Sequence, residues 1–136
     1  MEFPYVCKRG IYYPIVPLKL IHHGLELITD ALIDSGANVS VFQGSISDYF
    51  GIDLFKGERI FLQGIGGRIA AYRHYIDIEI GDFSFRSIIA FSTEMIPHVN
   101  ILGRHDFFQH FLIIFNEPSH KLILQKPSSP TSDNLE

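Results

Sequence analysis

The sequence predicts a mostly β domain with one or two short helices, and three observations carry that reading. Apolar runs of strand length recur along the chain, each bounded by Gly-, Asn- or Asp-containing turn signals. The stretch "YIDIEI" (residues 75–80) alternates apolar and acidic residues at period two, the pattern of a strand with one wet face. Twelve Phe and no Trp, within an apolar content of 46%, suit a packed β-rich core.

In chain order, residues 15–21 and 25–33 are apolar-rich strands around His22-His23-Gly24, a hairpin. Residues 39–42 form a short strand, after which Ser45 is the expected N-cap of a helical turn over 46–50. Residues 59–63 and 69–80 flank a glycine-rich tip, so a long hairpin is expected there. Gly81-Asp82 turns the chain into the strand "FSFRSIIAF", and residues 100–102 make a short strand ending at Gly103. "RHDFFQHF" is expected to be a short helix, and "FLIIF" and "KLILQ" a final hairpin. Residues 1–12 read as a loose N-terminal segment, 13–126 as the folded domain, and the Pro/Ser-rich residues 127–136 as a disordered tail.

Bulk properties exclude several function classes. At 136 residues one domain is expected, large enough for a modest core but not for two lobes. A net charge of −4 leaves no basic footprint for nucleic acid or an anionic membrane. One cysteine, Cys7, rules out an internal disulfide framework, and no apolar run approaches transmembrane length. A soluble cytoplasmic protein without metal or other cofactor is the expectation.

The informative stretch is "ALIDSGANVSVF", residues 31–42, where an acid ends an apolar strand. Asp-Ser-Gly is a common turn, but a lone carboxylate beside a buried strand is disfavoured unless it is hydrogen-bonded, paired or used. Ser35 offers a hydroxyl, and a tight glycine turn can aim backbone N–H groups at Asp34. Two later features suit a catalytic reading. The tip at Gly64, Gly66 and Gly67 can fold over an extended ligand, and "NILGRHDFF" brings Gly103 for close backbone approach and Arg104 for tying down a loop.

Taken together, Ala31-Leu32-Ile33-Asp34-Ser35-Gly36-Ala37, the glycine-rich tip at residues 64–67 and Ile101-Leu102-Gly103-Arg104 resemble the retropepsin-like aspartic proteases, especially stand-alone prokaryotic members. The resemblance runs from residue 13 to 125 and implies a half-barrel with one lobe per chain. It implies Asp34, Ser35 and Gly36 as the catalytic loop. Ala37, Asn38, Gly64, Ile65, Gly66 and Gly67 would contact substrate, and Gly103 and Arg104 would brace the loop. Since Asp-Ser-Gly occurs once, it further implies a homodimer in which two Asp34 carboxylates share a proton and activate a water. Ser35 stands where Thr is commoner, which keeps the hydroxyl. Asn38 stands where viral members often carry Asp, so the Arg104 guanidinium is expected to use backbone carbonyls or Asp106. A peptide-binding or dimerisation module of the same fold without turnover is the rival reading.

Other groupings carry less. Adjacent His22 and His23 would point to opposite faces of a strand, and His105 and His110 are not at i, i+4 ligand spacing. Cys7 has no thiol-enzyme signature around it. "GIGGR" lacks the helix of a phosphate loop, and Asp77 with Glu79 is the wet face of a strand.

Overall fold

The computed structural model describes residues 1–64, 66–95 and 99–127; residues 128–136, most of the expected tail, lie outside them. The described residues form twelve strands: β1 (Glu2–Pro4), β2 (Val6–Lys8), β3 (Ile11–Tyr13), β4 (Ile15–His22), β5 (Leu25–Ile33), β6 (Val41–Gln43), β7 (Glu58–Gly64), β8 (Gly67–Ile80), β9 (Phe83–Ser92), β10 (Ile101–Leu102), β11 (Leu112–Asn116) and β12 (Lys121–Gln125). One α-helix, α1 (Gly44–Tyr49), occurs among the described residues, and 3₁₀ turns cover Leu54–Lys56 and Phe108–His110. No helix is long and apolar enough to cross a membrane among the described residues.

The main sheet runs β4-β5-β10-β6-β9-β8-β7, and a further β4–β8 pairing closes it into a ring, a half-barrel. Long antiparallel neighbours follow from short turns. His23 (φ 49°) and Gly24 (φ 79°) form the two-residue β4–β5 turn, whose backbone twist matches that of paired strands. Two pairings are parallel: β10 lies beside β5 with Ile101 opposite Leu32 and Leu102 opposite Ile33, and β6 lies beside β9. β10 also pairs antiparallel with β6. The two-residue β10 is thereby threaded between the strands that enter and leave the Asp34 loop.

Alternation on these strands fills the ring. Val16, Leu18 and Leu20 of β4, Ile76, Ile78 and Ile80 of β8, and Ile89 and Phe91 of β9 are buried. They pack with Phe42, Leu102, Phe107, Leu122 and Leu124 into the main core. The acidic residues of "YIDIEI" remain on the outer face, where Glu79 lies 3.8 Å from the Lys19 ammonium.

Three expectations are corrected. The N-terminal residues are ordered: β1 pairs with β12, and β2 and β3 form a hairpin through Arg9 (φ 53°) and Gly10 (φ 78°). Tyr12 stacks on His120 at 3.8 Å between ring centroids, and Cys7 is exposed on β2. Ser45 is not a cap, because α1 begins one residue earlier, directly after the β6–β9 pairing. Gly44 fits there because an added Cβ would lie 2.7 Å from the Thr93 Cγ2. "RHDFFQHF" is no α-helix beyond its 3₁₀ turn: the Phe107 and Phe108 N–H groups both donate to the Gly103 carbonyl and the His110 and Phe111 N–H groups to carbonyls three residues back, so isolated turns stand in place of the expected continuous helical ladder.

The β1–β12–β11 sheet covers the end of the ring. Leu122 and Leu124 are fully buried, Phe3 packs against the same core, and the Leu124 N–H donates to the Met1 carbonyl at 2.9 Å. The Tyr5 hydroxyl donates to Glu117 Oε1 at 2.8 Å, and burial together with that carboxylate raises it to about 12. Removal of residues 1–4 is expected to lower unfolding stability by at least about 2 kcal/mol, the value of one buried aromatic contact. A urea midpoint equal to that of the intact chain would show that β1 contributes nothing.

Candidate active site

The site is assembled from a loop, a brace and a hairpin. β5 delivers Asp34 at its C-terminal end, where the Asp34 N–H donates to the Leu102 carbonyl at 3.0 Å and extends the parallel pairing with β10. The chain then turns tightly. The Ala37 N–H donates to the Asp34 carbonyl at 3.1 Å, and the Gly36 N–H donates to Asp34 Oδ1 at 2.9 Å. A Cβ at Gly36 would sit 3.2 Å from that same oxygen, so glycine permits the close approach. The carboxylate is thus fixed through Oδ1, while Oδ2 makes no hydrogen bond among the described residues. Asp34 is half-buried; Ser35 and Gly36 are exposed.

The brace comes from residues 102–106. A Cβ on Gly103 would lie 2.5 Å from both the carbonyl carbon and oxygen of Val39, so no other residue fits without backbone movement. The Arg104 N–H donates to the Ala37 carbonyl at 2.9 Å and the His105 N–H to the Asn38 carbonyl at 2.7 Å. These bonds correct the expected form of the Arg104 brace: within one chain it is made by the main chain, and the Arg104 side chain is exposed. Its guanidinium forms no hydrogen bond or ion pair among the described residues.

Asp106 turns inward instead. Ser40 Oγ donates to Asp106 Oδ1 at 2.6 Å, the Ser40 N–H donates to Oδ2 at 3.2 Å, and Ser40 Oγ accepts from the Gly103 N–H at 3.0 Å. Both residues are buried, Ser40 completely. Burial pushes the Asp106 carboxyl above its ordinary value of 3.8, and the two bonds from Ser40 offset that only in part. Asn100 supplies a second buried polar tie. Its Oδ1 accepts from the Gln43 N–H at 3.0 Å, and its Nδ2 donates to the Asp30 carbonyl at 3.0 Å and to Thr29 Oγ1 at 3.3 Å. Strand patterning does not reveal Ser40 or Asn100, because each reads as an ordinary polar residue at a strand start.

The third part is the β7–β8 hairpin, whose tip includes Gly64, Gly66 and Gly67. Gly67 takes φ 111°, and Ile65 lies outside the described residues. One hairpin face presents Ile60, Leu62 and Ile69 to a small apolar cluster of Val41, Ala71, Ala90 and Met95, with Val39 at its edge. Arg59 and Arg68 lie over the ring of Phe61, 5.2 and 3.7 Å from its centroid. The middle of the hairpin is tied to the end of β9 and the residues just after it: the Ala70 N–H donates to Glu94 Oε2 and the Ser92 hydroxyl to the Ala70 carbonyl, both at 2.7 Å. An apolar hairpin face, tied at its middle, therefore packs beside the Asp34 loop through Val39.

No group of three or more His, Cys, Asp or Glu side chains could hold a metal among the described residues. His22 and His23 instead meet edge to face at 4.1 Å. Burial, followed by the neighbouring His23, lowers the affinity of His22 for a proton.

Asp106→Ala is expected to destabilise the fold by about 1–3 kcal/mol, the range for stranding buried hydrogen-bonding groups. Because the folded carboxyl binds its proton more tightly than the unfolded one, the stability it contributes is fully present below 3.8 and is lost as pH rises through the higher folded value. The penalty of the substitution should therefore be largest in acid and shrink toward neutrality. Denaturant titrations of both proteins across that range test this, and a penalty growing with pH would contradict it.

Two comparisons bear on this arrangement. No curated protein matches the chain. A family model described as aspartyl protease matches residues 19–105, which takes in β5 with the Asp34 loop, the β7–β8 hairpin and the Gly103–Arg104 brace. The chain belongs to the retropepsin-like aspartyl protease family.

Proposed function

We propose that the protein is a homodimeric aspartic endopeptidase that cuts extended peptide segments. Membership of the family suggests a hydrolase. The observation that carries the finer reading is the Asp34 loop: a carboxylate held through one oxygen by Gly36 N–H, at the end of a strand, beside a glycine-tipped hairpin with an apolar face. A single chain offers one such carboxylate, so the site is completed by the same loop of a second copy.

In the dimer, two Asp34 carboxyl groups hold one proton and one water between them. The ionised Asp34 takes a proton from the water as the water oxygen attacks the scissile carbonyl carbon. The protonated Asp34 gives its proton to the carbonyl oxygen, so charge does not accumulate. Collapse of the tetrahedral diol breaks the C–N bond: the proton gained from water passes to the leaving nitrogen, and one diol hydroxyl returns its proton to the other Asp34, which restores the singly protonated pair. Gly64, Gly66 and Gly67 would close over the peptide and bond its backbone as an added strand, with Ala37 and Asn38 on the opposite side. Ile60, Leu62 and Ile69 would bring an apolar surface toward an apolar substrate side chain. Ser35 would brace the two active-site loops across the dimer axis.

Incubation with a mixed peptide library tests the reading. The wild type should cut at defined sites, and Asp34→Asn should lower turnover by at least about 10³-fold, as expected for loss of an acid–base group. Binding without cleavage by the wild type would identify a silent module of this fold instead. The rate should rise and then fall with pH, since one and only one proton must reside on the pair. A rate climbing steadily into alkali would contradict the paired-acid mechanism.

A further inference from the structure

A pocket of about 510 Å³ opens beside the Asp34 loop, lined by Asn38, Val39, Arg104, His105, Phe108 and Gln109. Its chemistry is one-sided. The lining holds a guanidinium, an imidazole and two carboxamides, all able to donate hydrogen bonds, and no carboxylate. In a chain with 15 acidic residues, that composition is a local reversal of charge.

Arg104 differs in this respect from most other arginines. Arg73 lies 3.0 Å from Glu58, Arg59 and Arg68 lie over Phe61, and Arg86 lies over Tyr75. Among the described residues the Arg104 guanidinium has no acceptor and no aromatic face. Its backbone is nevertheless fixed, because the N–H groups of Arg104 and His105 bond to the carbonyls of Ala37 and Asn38, and Gly103 lies against Val39. Both walls of the pocket therefore belong to one clasped unit. A guanidinium fork mounted on a fixed backbone and free of other partners among the described residues suits a planar anion held through two parallel bonds. Phe108 and Val39 add apolar surface for the stem that carries it.

We infer that this pocket is a subsite for a peptide carboxylate, held by Arg104 with help from His105 and the Asn38 and Gln109 amides, so that the preferred ligands are acidic peptides. The inference rests on the peptide-binding reading above and adds a charge preference to it. An acidic side chain or the chain end can supply the carboxylate, and the two are separable.

The test uses the full chain carrying Asp34→Asn, which prevents turnover, and fluorescence anisotropy with labelled peptides. The peptides carry Glu or Gln at each position in turn, with the C-terminus either free or amidated. One Glu position, or the free C-terminus, should bind about tenfold tighter than its neutral counterpart, the size of one charge-assisted contact. Adding Arg104→Gln should bring that ratio close to one, whereas Arg104→Lys should keep part of it, which a purely structural arginine would not. A dependence on Glu identifies a side chain as the source, and a dependence on the free acid identifies the chain end. Ratios near one throughout, no binding by any peptide, or an Arg104→Gln variant that weakens acidic and neutral peptides alike would overturn the inference. Cleavage of the same peptides by the wild type is read separately. Carboxylate-selective binding without cleavage leaves the subsite standing and removes the endopeptidase reading, and cleavage without selectivity does the reverse.

Discussion

The hydrogen bonds that join residues 37–40 to residues 103–106 are the constraint on which the rest depends. Ser40 sits at their centre: its hydroxyl donates to Asp106 and accepts from the Gly103 N–H, while its own N–H donates to Asp106. Each of these groups lies away from water, where an unmade bond would leave a polar atom stranded at a cost comparable to the whole net gain of several ordinary hydrogen bonds. The Ser40 bonds are therefore coupled to one another. Satisfied together, the bonds hold the Asp34 loop against β10; loss of Ser40 would strand both Asp106 and the Gly103 N–H. Asp106 is the member at greatest risk, because burial works against its charged form.

That clasp gives the loop a rigidity its length and composition would not. Asp34, Ser35 and Gly36 are only partly covered, and a glycine turn alone samples many conformations. The parallel pairing of β5 with β10 fixes the entry to the loop, and the antiparallel β10–β6 pairing fixes its exit. Two residues of β10 thus govern both ends. The surrounding ring supplies the frame, since the β4–β8 contact closes the sheet and removes most of its open edges. A carboxylate on such a frame is held in place in advance, which the proposed acid–base role would require.

Much of the fold is legible in the sequence because its strands are long and their turns are specific. The alternation in residues 75–80 and the His22-His23-Gly24 turn leave little freedom to any other reading of β8 or of the β4–β5 hairpin. The Asp34 loop is legible for a different reason: an acid after "ALI" violates the apolar pattern, and such violations concentrate where chemistry is done. The misread segments are those settled by tertiary partners. Residues 104–111 have the composition of a short helix, yet the Arg104–Ala37 and His105–Asn38 bonds pin the segment to a loop far away in sequence, and its own N–H groups make only isolated turns such as those to the Gly103 carbonyl. β1 looks loose because three residues carry no periodicity; only the exposed edge of β12, absent from local sequence, gives them a place. Arg104 shows the same limit at the level of one residue, since its backbone rather than its side chain touches the loop.

The central claim is that each chain supplies one of two catalytic carboxylates. Subunit mixing measures it most directly: wild-type protein is dissociated and reassembled with increasing proportions of Asp34→Asn, and peptide cleavage is followed at constant total protein. If the active unit needs Asp34 from both copies, activity falls with the square of the wild-type fraction, because mixed dimers are inactive. A linear fall would mean that a single chain carries a complete site, and would contradict the account.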